Sequence, residues 1–229
     1  MHMADFPFQA VAFDLDGTLL DTFRDLGTAV NHALELGGFD PVPVDSSKDL
    51  IGGGAKIMLA KALEAQGGVA DDTFRDLYKA MLSYYADNNA VHSRPYPGVT
   101  ECLDELHSRG VKMAVVTNKF EDFAKTILGT LGLADRFVTI IGGNSLGRGP
   151  DGRFIAKPAP EPVLAAADAC GNGRIAFVGD SSYDVAAARA AFVPVVVAGY
   201  GYCDKPPHEL GGDAVIDSFD GLIPVLETL

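Results

Sequence analysis

One stretch decides the fold of this chain: Val11-Ala12-Phe13-Asp14-Leu15-Asp16-Gly17-Thr18. The apolar run Ala10–Phe13 is continuous rather than alternating, which predicts a parallel strand buried on both faces. Asp14 and Asp16 follow at the carboxyl end of this strand, and Gly17 permits a backbone turn that a Cβ would resist. Because α/β folds bind their ligands at that end of their strands, the stretch predicts a functional site. The alternative is an ordinary acidic Asp-Gly turn.

Length and composition indicate a globular protein and exclude several partners. The chain has 229 residues, 48% of them hydrophobic, and a formal net charge of −13 at pH 7. Nucleic acid and anionic membrane surfaces repel so acidic a protein, so we expect neither as a partner. No apolar stretch approaches the ~18 residues of a membrane span. No basic-then-apolar leader precedes the first strand, so we do not expect secretion.

The cysteines bear on the compartment. Cys102, Cys170 and Cys203 are odd in number and widely spaced, with no paired motif. This usage is typical of reduced thiols, and we expect a cytoplasmic protein. The sequence leaves open whether the protein is a monomer or a homodimer.

Periodicity divides the chain into two kinds of segment. Apolar residues recur at helical spacing within residues 23–34, 55–63 and 74–85, with no strand-like alternation between them. From residue 93 onward helices alternate with apolar strands, which predicts a parallel sheet covered by helices on both faces. We therefore predict a Rossmann-like, doubly wound α/β core, residues 1–20 and 93–229. An inserted α-helical cap, residues 21–92, would cover the carboxyl edge of the sheet.

Polar residues follow several of the predicted strands. Besides Asp14 and Asp16, these are Thr117 and Asn118 after the strand 111–116, Lys157 before a helix, and Asp180 after the strand 175–178, with Asp184 four residues further on. Parallel strands end at the same edge of a sheet, so we expect these side chains to converge.

This set of residues suits phosphoryl transfer. Asp14 would attack phosphorus and form an acyl phosphate, which splits one difficult step into two easier ones. Asp16 would protonate the leaving alkoxide and then take a proton from the hydrolytic water. Thr117 and Lys157 would hold the phosphoryl oxygens, and a backbone N–H near Asn118 would add to that cradle.

The same carboxylates predict a Mg²⁺ site. Asp14, Asp180 and the backbone carbonyl of Asp16 offer the oxygen ligands that this ion prefers, and Asp184 would orient a metal-bound water. The ion would also neutralise like charges that lie close together and attract an anionic substrate to an acidic protein. The alternatives are a helix-capping role for Asp184, a solvated surface position for Lys157 and a plain strand exit at Thr117.

Four motifs, in this order, resemble those of the haloacid dehalogenase superfamily. They are Asp-Leu-Asp-Gly-Thr at 14–18, Val-Val-Thr-Asn-Lys at 115–119, Lys157-Pro158, and Gly-Asp-Ser-Ser-Tyr-Asp at 179–184. The resemblance covers nearly the whole chain and implies a Mg²⁺-dependent phosphohydrolase with a helical cap inserted after the first motif. Within the superfamily the chain resembles the phosphoglycolate phosphatases, through Asp21-Thr22, residues 52–56, residues 94–99 and Ile141-Gly142-Gly143. The expected partner is a small phosphorylated acid such as 2-phosphoglycolate.

Two regions bear on the substrate. In the predicted cap, Gly53 and Lys56 are candidates to contact it, with a plain interhelical turn and an exposed helix lysine as the alternatives. Asn144-Ser145 stands where the superfamily usually has an acid followed by Ser or Thr. The extra stretch 146–156 contains Gly149-Pro150-Asp151-Gly152, which predicts a turn between two short extended arms.

Other functions remain open at the level of sequence. A sugar-phosphate mutase would keep Asp14 and use the cap to exclude water, and a phosphatase for sugar or nucleoside monophosphates would share every motif. Dehalogenation is disfavoured by Asp16, because attack at carbon needs no acid there. A binding role without catalysis is disfavoured because no acid of the set is missing.

Overall fold

The computed structural model describes residues 6–51 and 53–229, so Gly52, in the segment 52–56 that supports the resemblance, lies outside the described residues. In chain order the elements are β1 (Ala10–Phe13), β2 (Leu20–Asp21), α1 (Phe23–Leu36), α2 (Ala55–Glu64), α3 (Asp71–Asn88), β3 (Arg94–Pro95), α4 (Val99–Ser108), β4 (Lys112–Val116), α5 (Glu121–Thr130), β5 (Thr139–Ile141), α6 (Glu161–Ala169), β6 (Ile175–Gly179), α7 (Ser182–Ala190), β7 (Val195–Ala198), β8 (Ala214–Ile216) and α8 (Leu222–Leu226).

Within the described residues, six parallel strands form one sheet in the order β5-β4-β1-β6-β7-β8. The strand order reverses at β1, which has β4 on one side and β6 on the other. Open α/β sheets bind ligands in the crevice at such a reversal. The predicted Rossmann-like, doubly wound α/β fold is confirmed.

Strand β1 is buried on both faces, which explains its continuous apolar sequence. Val11 and Phe13 belong to one apolar cluster, to which α4, α5 and α8 contribute. Ala10 and Ala12 belong to a second cluster on the opposite face, beneath α6 and α7. Successive side chains of a strand point to opposite faces, so both sets of residues must be apolar.

Helices α1, α2 and α3 pack on one another through a third apolar cluster, which draws on residues 23–85 and on Tyr202 of the core. The chain enters and leaves this helical unit side by side, because β2 pairs antiparallel with β3. The predicted boundaries at residues 21 and 93 fall at this pair. The division into a core and a cap stays a prediction.

Tyr202 ties the core to the start of α1. Its hydroxyl oxygen accepts hydrogen bonds from the backbone N–H groups of Thr22 and Phe23, at 2.7 and 3.0 Å, and donates one to Asp21 at 2.7 Å. The first N–H groups of a helix have no partner inside the helix, and Thr22 supplies no side-chain cap. A distant tyrosine therefore takes the place of the usual capping residue.

A buried carboxylate, Asp25, holds the segment through which the chain leaves the helical unit. Asp25 on α1 accepts hydrogen bonds from the backbone N–H groups of His92 and Ser93, at 2.9 Å each, and from the Ser93 hydroxyl at 2.7 Å. Three donors on one buried anion are worth more than neutral hydrogen bonds because the acceptor is charged.

We expect Asp25→Asn to lower the free energy of unfolding by about 2 kcal/mol, since the new amide would turn a donor toward donors. Urea unfolding would measure this difference. Glu35→Gln, on the exposed face of the same helix, is the matched control and should change stability by less than about 0.5 kcal/mol. Equal stability of Asp25→Asn and wild type would show that the hydrogen bonds from His92 and Ser93 to Asp25 do not stabilise the protein.

Among the residues described, no helix combines the length and the hydropathy that crossing a membrane requires. Cys102, Cys170 and Cys203 are unpaired, as predicted.

Candidate active site

The register of the sheet brings three strand ends together. Phe13, the last residue of β1, lies opposite Val115 of β4 and Val178 of β6. The residues that follow these strands, Asp14, Thr117 and Asp180, therefore lie at one edge of the sheet. All three are buried.

The turn after β1 requires a glycine for two reasons. Gly17 has a φ of +87°, which L side chains rarely adopt. A Cβ at this position would lie 2.2 Å from Asp180 Oδ2. The turn can thus approach the carboxylate of a second strand only because residue 17 has no side chain.

Three buried carboxylates meet at this edge. Asp14, Asp180 and Asp184 offer oxygen atoms that all lie within 4.8 Å of one another. Lys157 Nζ, itself buried, lies 2.8 Å from Asp14 Oδ1 and 2.5 Å from Asp184 Oδ1. One ammonium group therefore faces three carboxylates, and the cluster retains an excess of negative charge.

The pKa values of Asp14 and Asp180 reflect burial and this excess of negative charge. Burial raises the pKa of Asp14 to about 7, against the attraction of Lys157. Burial, followed by the nearby charges of Asp184 and Asp14, also raises the pKa of Asp180. Carboxylates that lose water and repel one another are stabilised by a cation. The oxygen ligands and their burial fit a hard divalent cation such as Mg²⁺.

We expect the metal-free protein to lose stability as the pH rises from about 4 to about 7. An acid whose folded-state pKa exceeds its unfolded value of 3.8 binds more protons when folded. The free energy of unfolding then falls with rising pH, by up to about 1.4 kcal/mol per pH unit for each such group. MgCl₂ should raise the melting temperature more at about pH 8 than at about pH 5, since the ion binds the ionised form.

Thermal unfolding with and without MgCl₂ measures this dependence, with NaCl at matched ionic strength as the control for screening. A melting temperature that responds equally to both salts would argue against a specific cation site.

Asp180 and Asp184 are held in place by their neighbours. Asp180 accepts hydrogen bonds from the Thr18 hydroxyl at 2.9 Å and the Tyr202 backbone N–H at 2.7 Å. Asp184 Oδ2 accepts from the backbone N–H and the hydroxyl of Ser181, in a capping box at the start of α7. Asp184 thus caps a helix and binds Lys157 at once. The predicted role of orienting a metal-bound water stays a prediction.

The loop that follows β4, residues 117–119, is hydrogen-bonded to the segment that contains Lys157. Thr117 Oγ1 accepts a hydrogen bond from the Lys119 backbone N–H at 3.1 Å, which leaves its own proton for donation. Asn118 Nδ2 donates to the Lys157 carbonyl at 3.1 Å. Thr117 and Asn118 both line a cavity that also exposes Asp14 and Asp16.

This cavity lies between the core and the helical unit and measures about 50 Å³. Gly54 and Ala55 line it, and a Cβ added at Gly54 would make an ordinary van der Waals contact with the Asn118 carbonyl. Gly53 lies next to this lining, where an added Cβ would meet Ile57 and the Tyr183 hydroxyl. Lys56 is exposed and is not among the lining residues. The structure does not bring Lys56 to the cavity, and its predicted contact with substrate stays a prediction.

Sequence reasoning missed two residues at this cavity. Lys119 is buried, and its Nζ lies 2.9 Å from Asp16 Oδ1, which also accepts a hydrogen bond from the Thr22 hydroxyl at 2.6 Å. Tyr85 on α3 places its ring 4.8 Å from the same Nζ. Lys119 stood inside a recognised motif, so a signal was present. No sequence signal marked Tyr85, because it occupies one of the apolar positions of a predicted helix.

The extra stretch forms the predicted turn. Arg148 and Phe154 pair as an antiparallel bridge across it. The ring of Phe154 meets Phe120, a cavity-lining residue, edge to face at 5.8 Å. Asn144, one of the departures from the superfamily pattern, accepts a hydrogen bond from the Glu121 backbone N–H at 2.9 Å and so caps α5.

The family model for haloacid dehalogenase-like hydrolases matches residues 8–191. The chain belongs to this family of hydrolases and is an enzyme, which confirms the resemblance drawn from the motifs. A crystal structure described as a predicted phosphoglycolate phosphatase from Haemophilus somnus is 31% identical. It superimposes with a TM-score of 0.86, covering 97% of this chain and 99% of that one.

Curated relatives match over most of their length. The phosphoglycolate phosphatase of Agrobacterium fabrum is 38% identical over 217 residues, or 93% of this chain and 90% of the relative. The N-acetylmuramic acid 6-phosphate phosphatase of Pseudomonas aeruginosa is 36% identical over 227 residues, or 96% of this chain and 95% of the relative. Both are phosphoric monoester hydrolases by name. Identity alone does not separate their two substrates.

Proposed function

We propose that this enzyme is a Mg²⁺-dependent phosphomonoester hydrolase that works through a phosphoaspartate at position 14. The observation that carries the proposal is the meeting of three buried carboxylates with Lys157 at the carboxyl ends of β1 and β6. Asp14, Asp180 and the carbonyl of Asp16 would hold the ion, with Asp184 nearby. When bound, it would neutralise charge on the transferring phosphoryl group and on the acids around it.

The chain's own residues carry out two successive nucleophilic displacements at phosphorus. An Asp14 carboxylate oxygen attacks phosphorus, the ester P–O bond breaks, and the departing alkoxide takes a proton from Asp16. A water then attacks the same phosphorus and gives a proton to Asp16, which releases inorganic phosphate and restores the Asp14 carboxylate. Thr117 and Lys157 donate to the phosphoryl oxygens, where charge spreads in the transition state.

We further propose that residues 21–92 act as a cap that closes over the edge of the sheet. The cavity is lined from both sides, by Asp14, Thr117 and Asn118 of the core and by residues of α1, α2 and α3. Its volume of about 50 Å³ corresponds to a few water positions. A small space between cap and core favours a short substrate and would limit the access of bulk water to the reaction.

The substrate we propose is 2-phosphoglycolate, which yields glycolate and inorganic phosphate. A two-carbon acid suits the small cavity, and the relatives named as phosphoglycolate phosphatases support it. A sugar phosphate is the second candidate, because a relative of almost equal identity carries the name of a sugar-acid phosphatase. The small volume of the cavity disfavours it.

Phosphate release over a panel of esters with MgCl₂, ranked by kcat/KM, tests the proposal. The panel holds 2-phosphoglycolate, N-acetylmuramate 6-phosphate, a hexose 1-phosphate and nucleoside monophosphates. We expect 2-phosphoglycolate to rank first. A higher rank for the sugar acid would overturn the substrate, and transfer between positions of one sugar with little free phosphate would replace hydrolysis with mutase chemistry.

A further inference from the structure

Lys119 and Tyr85 meet across the boundary between the core and the helical unit. Lys119 follows β4 at the edge of the sheet, and Tyr85 lies on α3. Both are buried and both line the cavity that contains Asp14 and Asp16. Of the described residues in that lining, Lys119 alone carries a positive charge.

The Tyr85 hydroxyl is in an unusual position for a buried polar group. Within the described part of the chain its oxygen makes no hydrogen bond of ordinary geometry, although the Lys119 ammonium group lies close enough to interact with it. A buried hydroxyl without such a bond is costly, and structures rarely retain one without a reason. Burial also raises the pKa of Tyr85 to about 12, so the phenol keeps its proton and can donate it.

Lys119 has donor capacity beyond its ion pair. An ammonium group carries three N–H donors, and Asp16 Oδ1, at 2.9 Å, accepts one. The ring of Tyr85 lies against the same nitrogen, at 4.8 Å from its centre. A ligand acceptor within reach of both Nζ and the Tyr85 hydroxyl would satisfy both groups.

The remaining lining makes this donor pair selective. It includes several apolar side chains, namely Leu26, Ile51, Met58, Leu82, Phe120 and Phe123. In apolar surroundings a charge without a partner is strongly disfavoured, whereas an anion beside an ammonium group is stabilised. We therefore expect Lys119 and Tyr85 to bind a carboxylate more strongly than a neutral hydroxyl.

We propose that Lys119 Nζ and Tyr85 Oη together bind the carboxylate of a short phosphorylated acid, at the end of the substrate opposite the phosphoryl group. This inference rests on the proposed function, because it assigns the substrate-selecting residues of that same site. Lys119 reaches Asp16, two residues from Asp14, so the two ends of the substrate lie close together. We expect a short carbon skeleton to suit that arrangement, since Asp14, Asp16 and Lys119 line one cavity.

The test compares two esters that differ only at this end. 2-Phosphoglycolate carries a carboxylate where 2-hydroxyethyl phosphate carries a neutral CH₂OH. Tyr85→Phe removes the hydroxyl and keeps the ring that packs on Phe123. We expect it to lower kcat/KM for 2-phosphoglycolate about 10-fold or more, mainly through KM, and to leave the neutral ester within about threefold.

Lys119→Met removes the charge at similar side-chain length. We expect the kcat/KM for 2-phosphoglycolate, divided by that for 2-hydroxyethyl phosphate, to fall further than in Tyr85→Phe. Tyr84→Phe, at a neighbouring position that stacks on His32 and does not line the cavity, is the matched control and should keep the wild-type ratio. Melting curves of all variants verify the fold.

Equal losses for both esters in Tyr85→Phe would overturn the inference, since they would indicate a structural role. Unchanged values for both esters would overturn it as well. Wild-type enzyme that hydrolyses other phosphate esters but not 2-phosphoglycolate would instead reject the proposed substrate, and this result is visible before any variant is made.

Discussion

Asp14→Asn is expected to abolish turnover, with kcat reduced by at least about 1,000-fold. An amide cannot attack phosphorus as a carboxylate does, so no acyl phosphate can form. The substitution is nearly isosteric and removes one negative charge from a cluster that has an excess of them. We therefore expect the metal-free variant to be at least as stable as wild type at about pH 8, and to gain less from MgCl₂.

Steady-state phosphate release and thermal unfolding measure the two effects. Asp135→Asn, at an exposed position far along the chain, is the matched control and should change neither. Activity that survives Asp14→Asn would remove the nucleophile from the proposal. Loss of activity together with loss of folding would be explained by structure alone, and the melting curve separates these cases.

Lys157→Met has the second large effect, because it withdraws the ammonium group that lies between Asp14 and Asp184. Burial lowers the pKa of Lys157, but the attraction of Asp14 and Asp184 outweighs it and raises the pKa overall. The lysine is therefore charged at every pH at which the enzyme would work. Without it two carboxylates stay buried with no counter-charge, and we expect a loss of about 3–5 kcal/mol in the free energy of unfolding.

The loss should depend on pH in a defined direction. Protonation relieves a buried carboxylate that has no partner, so the difference from wild type should shrink at about pH 5 and grow toward about pH 8. At pH values where the variant folds, kcat should fall by about 100-fold or more, because a donor to the phosphoryl oxygens is lost.

Lys125→Met is the matched control. Lys125 is exposed and pairs with Glu121 on the surface of α5, and such pairs contribute less than about 1 kcal/mol. Chemical unfolding at several pH values compares the two variants. A pH-independent effect of Lys157→Met would contradict the assignment of Lys157 to the acid cluster.

Much of the fold was predictable because its signals are local. The run Ala10–Phe13 is apolar at every position, since both faces of the strand are covered, and the strands 175–179 and 195–198 repeat the pattern. The helical spacing of residues 23–34 reflects one buried face of α1. Helix ends are less exact: the helical spacing covers residues 74–85, whereas α3 runs Asp71–Asn88, because a helix boundary depends on only one or two hydrogen bonds.

The sequence by itself determined the α/β core, the helical character of residues 23–85 and the acids that meet at the sheet edge. Parallel strands must end on one side, so residues that follow them converge wherever the strands sit in the sheet. Only the tertiary structure decided that Lys119 and Tyr85 face each other, that Tyr202 caps α1 and that Lys56 is not among the residues that line the cavity. These pairings join segments far apart in the chain, and their geometry depends on how the helical unit packs against the core, which no local pattern encodes.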